Sequence, residues 1–296
     1  MQYNKPPLTY EQQTDLLINR GLIADRNKLI LRLKEVNYYR LTGYLYPFRQ
    51  ADNTFITGTS LEKVWSLYTF DRQLRIIIID AIERIEVSVR TKLVYKFIHK
   101  YGPFGYCDDK NLCGLSPEKF QRWKNDLKTD ISRSHEKFIK HFENTYSECH
   151  ELPPLWMSAE IMSFGKILTL FKGVDQSLRQ SVAKEYDMPD VLLESWLMTL
   201  NIIRNICAHH GRLWNKELRI KPKFPPKNKN PEWHVDPRLT NNHICVIMMI
   251  LRCMVRKIAP QSKWHERVQL LINKYPEVSR TSIGLFEGWE NHPIWK

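Results

Sequence analysis

Arg204, Asn205, His209 and His210 are the side chains of this chain whose types and spacing could do chemistry. They lie in the stretch Asn201-Ile202-Ile203-Arg204-Asn205-Ile206-Cys207-Ala208-His209-His210-Gly211-Arg212-Leu213-Trp214-Asn215. Wound as an α-helix at ~100° per residue, the stretch and its approach put Leu193, Trp196, Leu197, Leu200, Ile203 and Cys207 on one apolar stripe. Asn201, Arg204, Asn205, Ala208, His209 and Arg212 fall opposite. Asn201, Asn205 and His209 follow one another at i, i+4, i+8 and stack as a ridge, with Arg204 and Arg212 beside it. A solvated helix face ordinarily mixes Glu with Lys. This one holds no acid and gathers hydrogen-bond donors and imidazoles, the complement of a polyanion or a phosphate.

RNA transesterification fits that inventory. It needs a base for the 2′-hydroxyl proton, an acid for the leaving 5′-oxygen and positive charge on the crowded phosphate. An imidazole can do the proton work near neutrality, and a guanidinium can hold two phosphate oxygens. One ridge supplies one placed His and one Arg, so two facing copies would build a composite site at a dimer interface. Other chemistries fit less well. Cys207, His209 and His210 point in different helical directions, whereas zinc needs three or four converging ligands. There is no Gly-rich phosphate loop and no Gly-x-Ser-x-Gly. Cys207 falls on the apolar stripe, away from any base. No metal and no cofactor is expected. His210 by itself reads first as a hydrogen-bonded core histidine.

The net charge of +13 and pI near 9.4 argue for a polyanionic partner, nucleic acid before an anionic membrane. From Arg204 to Lys229 eight Lys/Arg face one acid, Glu217, so this stretch carries a net +7 and begins inside the motif. After Trp214 prolines alternate with lysines, which implies an extended loop. Arg212, Lys216, Arg219, Lys221, Lys223, Lys227 and Lys229 are candidate RNA contacts; the alternative is a solvated connection. Asn37 to Arg49 holds four tyrosines and two arginines. Tyr38, Tyr39 and Arg40 could stack on bases and touch phosphates, or the tyrosines could line a helix–helix joint with their hydroxyls wet.

The elements that must position these residues read as all-α. Thr9 caps a helix that Gly21 stops, and a second helix runs from Asp25 to Val36. Leu61 to Tyr101 keeps helical spacing without Pro or Gly, as one long helix or two nearly continuous ones. Its polar face carries Asp71, Arg72, Arg75, Asp80, Glu83, Arg84, Glu86 and Arg90, expected mostly as surface ion pairs; Glu83 and Glu86 could instead neutralise or orient the basic ridge. Helices follow over 117–133, 136–146, 156–171 (Phe164-Gly165 inside it), 176–185, from Met188 through the motif, 241–259 and 262–274. The tail aromatics, Trp289 and Trp295 among them, should dock on the body. The division expected is an N-terminal helical region (1–58), a central bundle (59–260) and a C-terminal helix with an aromatic tail (261–296). The six cysteines contain no Cys-x-x-Cys and read as free, mostly buried thiols of a reducing compartment. No run approaches the ~20 apolar residues of a membrane span, and Met1 to Pro7 has no apolar signal region, so a cytoplasmic protein without membrane contact is expected.

Arg204-Asn205-x-x-x-His209 matches the Arg-x(4–6)-His signature of HEPN ribonucleases. Asn205 to Asn215 resembles the signature of the AbiD/AbiF-type abortive-infection family. So do Asn37-Tyr38-Tyr39-Arg40-Leu41-Thr42-Gly43-Tyr44, Phe70-Asp71-Arg72-Gln73-Leu74-Arg75, Asp80-Ala81-Ile82-Glu83-Arg84-Ile85-Glu86 and the Trp-rich end. The resemblance covers nearly the whole chain. It implies a HEPN-type helical bundle with an additional N-terminal helical region. It also implies metal-independent RNA cleavage, completed by homodimerisation, in a toxin of phage defence associated with a small structured RNA. By carry-over Arg204 binds the scissile phosphate, His209 transfers protons, Asn205 orients them and His210 assists. Two other readings stand beside it: a non-catalytic RNA-binding module, and a scaffold for a nucleotidyl- or phosphate-modifying partner.

Overall fold

The computed structural model describes Gln2, Asn4 and residues 6–296, so part of the N-terminal stretch read above for targeting lies outside the described residues. The described residues hold twelve α-helices and no strand, with isolated bridges only at Ile23–Ser60 and Arg49–Phe55. The helices are α1 (Tyr10–Asn19), α2 (Arg26–Val36), α3 (Tyr38–Leu45), α4 (Leu61–Tyr101), α5 (Pro117–Ser132), α6 (Lys137–Tyr146), α7 (Leu155–Ile161), α8 (Phe164–Gly173), α9 (Gln176–Lys184), α10 (Asp190–Ala208), α11 (Ile244–Ile258) and α12 (Trp264–Lys274). The fold is all-α, as the periodicity predicted.

α4 is one uninterrupted helix of 41 residues, about 60 Å long at 1.5 Å per residue. It is the axis of the molecule: α3, α7, α8, α9, α10, α11 and α12 all pack on it. A helix enclosed on so many sides buries part of its polar face, and this corrects the surface reading for three of its eight charges. Asp71, Arg75 and Glu86 are buried. Asp80 and Arg84 do form an outer pair, at 3.6 Å, and Glu83 is exposed.

Sequence signals place most helix ends. Thr9 and Gln12 exchange bonds as a capping box on α1, and Gly21 turns the chain out at φ +94°. The segment 156–171, expected as one helix, is two. Met162 is extended, and Ser163 accepts the Lys166 N–H as the N-cap of α8. Local capping wins there because Ser satisfies an otherwise orphan donor. α10 is apolar enough in length and composition to cross a membrane, with mean hydropathy 1.2. In the fold it is a core helix against α4, α8 and α9.

One cluster of buried apolar residues runs from Leu17 to Trp295, so N-terminal, central and C-terminal segments share a core. The tail aromatics dock as expected: Trp295 packs on Trp289 and Trp264, and Arg252 donates to the Trp295 and Lys296 carbonyls at 3.2 and 3.0 Å. All six thiols are free, but Cys113 and Cys149 are exposed, against the expectation of mostly buried cysteines.

Candidate functional site

α10 ends at Ala208, one turn earlier than a continuous motif helix would require. His209 is its C-cap and His210 takes the left-handed conformation at φ +56°. The His210 N–H returns to the Cys207 carbonyl at 3.1 Å and the Gly211 N–H to the Ile206 carbonyl at 2.7 Å, the paired bonds of a Schellman ending. Glycine usually occupies the left-handed position. Here glycine follows it instead: a Cβ at 211 would sit 3.1 Å from Ile206 Cγ2 and 3.2 Å from its carbonyl oxygen. His210 therefore carries a backbone cost of about 1 kcal/mol that a glycine would not. Strain held at a non-glycine residue is a mark of functional sites. His210→Gly is expected to raise unfolding free energy by about 1 kcal/mol in urea titration, and an unchanged or lower value would show the turn to be unstrained.

The early helix end redistributes the ridge. Arg204 is half-buried, while Asn205 and His209 are exposed. Arg204 Nε lies 3.6 Å from Glu86 Oε2 on α4. Glu86 Oε1 meets Arg90 at 3.3 Å, and Arg90 meets Glu160 of α7 at 3.2 Å. This chain of alternating charge fixes Arg204 through Nε. Burial pushes the Glu86 carboxyl above the usual carboxylate range, against the opposing pull of Arg204 and Arg90. Of the two acids singled out in the sequence, Glu86 orients the motif arginine and Glu83 does not. Cys207 is buried and its thiol is pushed up to about 12 by burial, which suits a packing role and not a nucleophile.

Arg212 leaves the ridge and does not share a helical face with Arg204. Its Nη1 donates to the Gly43 carbonyl of α3, and Arg40 of α3 donates to the His210 carbonyl at 2.8 Å. Two arginines thus cross between α3 and the turn after α10. The tyrosine-rich segment is helical, and its members differ. Tyr39 is 75% exposed. Tyr38 is half-buried, its hydroxyl accepting from Arg20 at 3.3 Å. Tyr44 is buried and its hydroxyl is not wet: it donates to Asp71 Oδ2 at 2.6 Å. The tertiary structure brings Tyr39, Arg40, His210 and Arg212 to the wall of one open cleft of about 540 Å³.

Asp71 holds this arrangement from below. Its Oδ2 accepts from Tyr44 and Arg75, and its Oδ1 from the N–H groups of Leu213 and Trp214 at 3.1 and 2.7 Å. It is fully buried. Burial and the Asp71 charge together push the Tyr44 hydroxyl up. Sequence reasoning missed this residue, although a signal existed. In the apolar register of α4, Tyr68 is followed by Leu74, and Asp71 falls midway at core spacing; Glu86 likewise follows Ile82 and Ile85 on the same stripe.

The lysine loop lies elsewhere. Its backbone is bolted to the N-terminal half of α10: the Trp196 indole donates to the Lys223 carbonyl at 2.9 Å, and the Lys223 N–H donates to Ser195 Oγ at 2.9 Å. Trp233 is buried against Trp196 and Phe224. Lys216, Arg219, Lys221, Lys223, Lys227 and Lys229 are all exposed, with Lys221 paired to Glu217 at 3.3 Å. Ser195 and His209 are about 20 Å apart along the helix axis, so the Lys223 end of the loop is remote from the motif histidines, whereas Lys216 and Arg219 lie beside Ile203 and Ile206 near the end of α10. Among the described residues no three His, Cys, Asp or Glu side chains gather where a metal could bind.

Residues 32–215 match the family model described as Abi-like protein. The chain belongs to that family. The match starts within α2, takes in α3, α4 and α10, and stops just past the Asp71-anchored turn. The Abi-like portion therefore contains the whole arginine–histidine site with its supports. It leaves out α1, the lysine loop and everything after it. Membership places the protein among abortive-infection proteins of phage defence. No curated protein and no solved structure matches the chain.

Proposed function

We propose that this Abi-like protein is a metal-independent HEPN-type endoribonuclease that acts as a growth-arresting toxin in phage defence. The observation that carries the reading is the last turn of α10. Arg204 is held through Nε by Glu86, which leaves its terminal nitrogens for phosphate oxygens, and His209 stands exposed five residues on. In the proposed reaction His209 removes the 2′-hydroxyl proton of the RNA. The 2′-oxygen attacks the adjacent phosphorus, the bond to the 5′-oxygen breaks, and that oxygen takes a proton from a second acid. The products are a 2′,3′-cyclic phosphate and a 5′-hydroxyl. Arg204 offsets the charge on the five-coordinate phosphorus, Asn205 orients Arg204 and His209, and His210 assists. The second acid is His209 of a facing copy, so the active form is a homodimer joined across the exposed Asn205–His209 face. A small structured RNA is the proposed controlling partner, and the cytoplasm the proposed compartment.

The test is RNA cleavage in EDTA followed by end-group analysis. Wild type should cut and leave cyclic phosphate ends. Wild type that binds structured RNA but never cuts it would instead establish a non-catalytic binding module.

The basic loop supplies the sequence-independent grip in this reading. Each lysine on a phosphate releases about 0.7–0.9 counterions. Neutralising Lys221, Lys223, Lys227 and Lys229 together is expected to lower the slope of log affinity against log salt by about 3, measured by fluorescence anisotropy with labelled RNA. An unaltered slope would take the loop off the RNA path.

A further inference from the structure

A second cleft, of about 850 Å³, lies between α1, α2, α3 and the first half of α4, with His210 on its rim. Four cations line it: Lys34, Arg40, Arg72 and Arg75. Arg75 is buried, its side chain only 7% exposed, and it lines the cleft as the ion-pair partner of the Asp71 carboxylate. Arg40 reaches the cleft while donating one nitrogen to the His210 carbonyl. Arg72 is exposed, next to Arg75's turn on α4, and Lys34 lies over the Tyr10 ring at 5.9 Å. Two carboxylates, Glu11 and Glu35, also line the space.

With Arg75 paired to Asp71, three cations (Lys34, Arg40 and Arg72) face two acids, a positive balance that favours an anion, and the two acids disfavour a long polyanion threading through. Tyr38 and Tyr68, both half-buried, supply apolar surface on the same walls. A cleft of this volume is the size of a small-molecule site, and Arg side chains bind phosphate, like carboxylate, through a bidentate fork. We propose that this cleft is a binding site for a terminal phosphate borne on a nucleoside, separate from the Arg204–Glu86 pair. The phosphate sits between Arg72, Arg75 and Lys34, and the base lies on the tyrosine wall. Two sources share this chemistry: a free mononucleotide, and the 5′-phosphorylated end of an RNA. Because Arg40 and His210 belong both to the cleft and to the turn after His209, a bound ligand is read out at the end of α10. The binding itself does not depend on the ribonuclease reading.

The test is calorimetric titration of the full chain with 5′-AMP, adenosine, inorganic phosphate, and a dinucleotide with and without its 5′-phosphate. Arg72→Ala and Lys34→Ala remove exposed side chains that make no hydrogen bond within the fold, and Arg84→Ala, elsewhere on α4, is the charge-matched control. The phosphorylated compounds should bind, adenosine should not, and each cleft variant should weaken binding about tenfold while the control leaves it unchanged. If 5′-AMP competes with the phosphorylated dinucleotide, a free nucleotide suffices; if only the dinucleotide binds, the ligand is an RNA end. Equal binding of adenosine and 5′-AMP, binding that ignores both cleft variants, or no heat with any phosphorylated probe would each overturn the proposal.

Discussion

His209→Ala is expected to slow RNA cleavage by about 10²–10⁴, the range for loss of a general acid–base group, and Arg204→Ala by about 10²–10³, the range for loss of a charge-stabilising donor. Single-turnover cleavage of a labelled RNA in EDTA reads both. The two variants should leave thermal unfolding nearly unchanged, since His209 is exposed and makes no side-chain bond, and Arg204 makes one ion pair at 3.6 Å. Glu86→Gln separates positioning from binding. It removes the charge that holds Arg204 by Nε and should reduce the cleavage rate while RNA affinity stays within about twofold, because Glu86 is buried and faces away from solvent. A composite site adds a sharper requirement. Mixing His209→Ala chains with wild type should lower the rate below the share of wild-type chains, because each site needs a His209 from both copies. Cleavage by the single variants at the wild-type rate would end the assignment of these residues.

Asp71→Asn should cost about 3–5 kcal/mol of unfolding free energy, the penalty for breaking a buried pair from one side. The carboxylate accepts from four donors, and an amide must turn a donor of its own toward at least one of them. Arg75 is left as a buried cation without a counterion. The midpoint of urea denaturation measures this, with the slope checked for an unaltered transition. Asp71→Leu combined with Arg75→Met should recover only part of the loss, because the Tyr44 hydroxyl and the Leu213 and Trp214 N–H groups still lack their acceptor. A cost below about 1 kcal/mol would mean that water replaces the carboxylate there.

Helix existence was legible because α4, α10 and α11 repeat apolar residues at helical spacing, and Thr9, Asp25 and Ser60 cap the starts of α1, α2 and α4. The split between α7 and α8 was not, since Ser163 is compatible with either a helix interior or a cap until the packing chooses. The site was partly legible. Residue type and spacing singled out Arg204, His209 and Glu86, but the helical wheel wrongly kept Arg212 on the ridge. A wheel assumes that the helix continues, and nothing local forbids Ala208 to Arg212 from doing so.

The amino-acid sequence by itself determined an all-α chain, a basic surplus gathered after Arg204, and an arginine and a histidine five residues apart at the end of an apolar-backed helix. Those are properties of neighbours along the chain, where periodicity and spacing act directly. Only the tertiary structure decided that α10 stops at Ala208, that His210 sits strained in the left-handed region, and that Asp71, 142 and 143 residues away from the N–H groups it binds, anchors the turn. It also decided that Arg40 and Arg212 tie α3 to that turn, while Lys223 is anchored about 20 Å away along α10. The reason is that buried polar groups must find partners, and those partners are chosen by how α3 and α10 dock on α4, which no local spacing records.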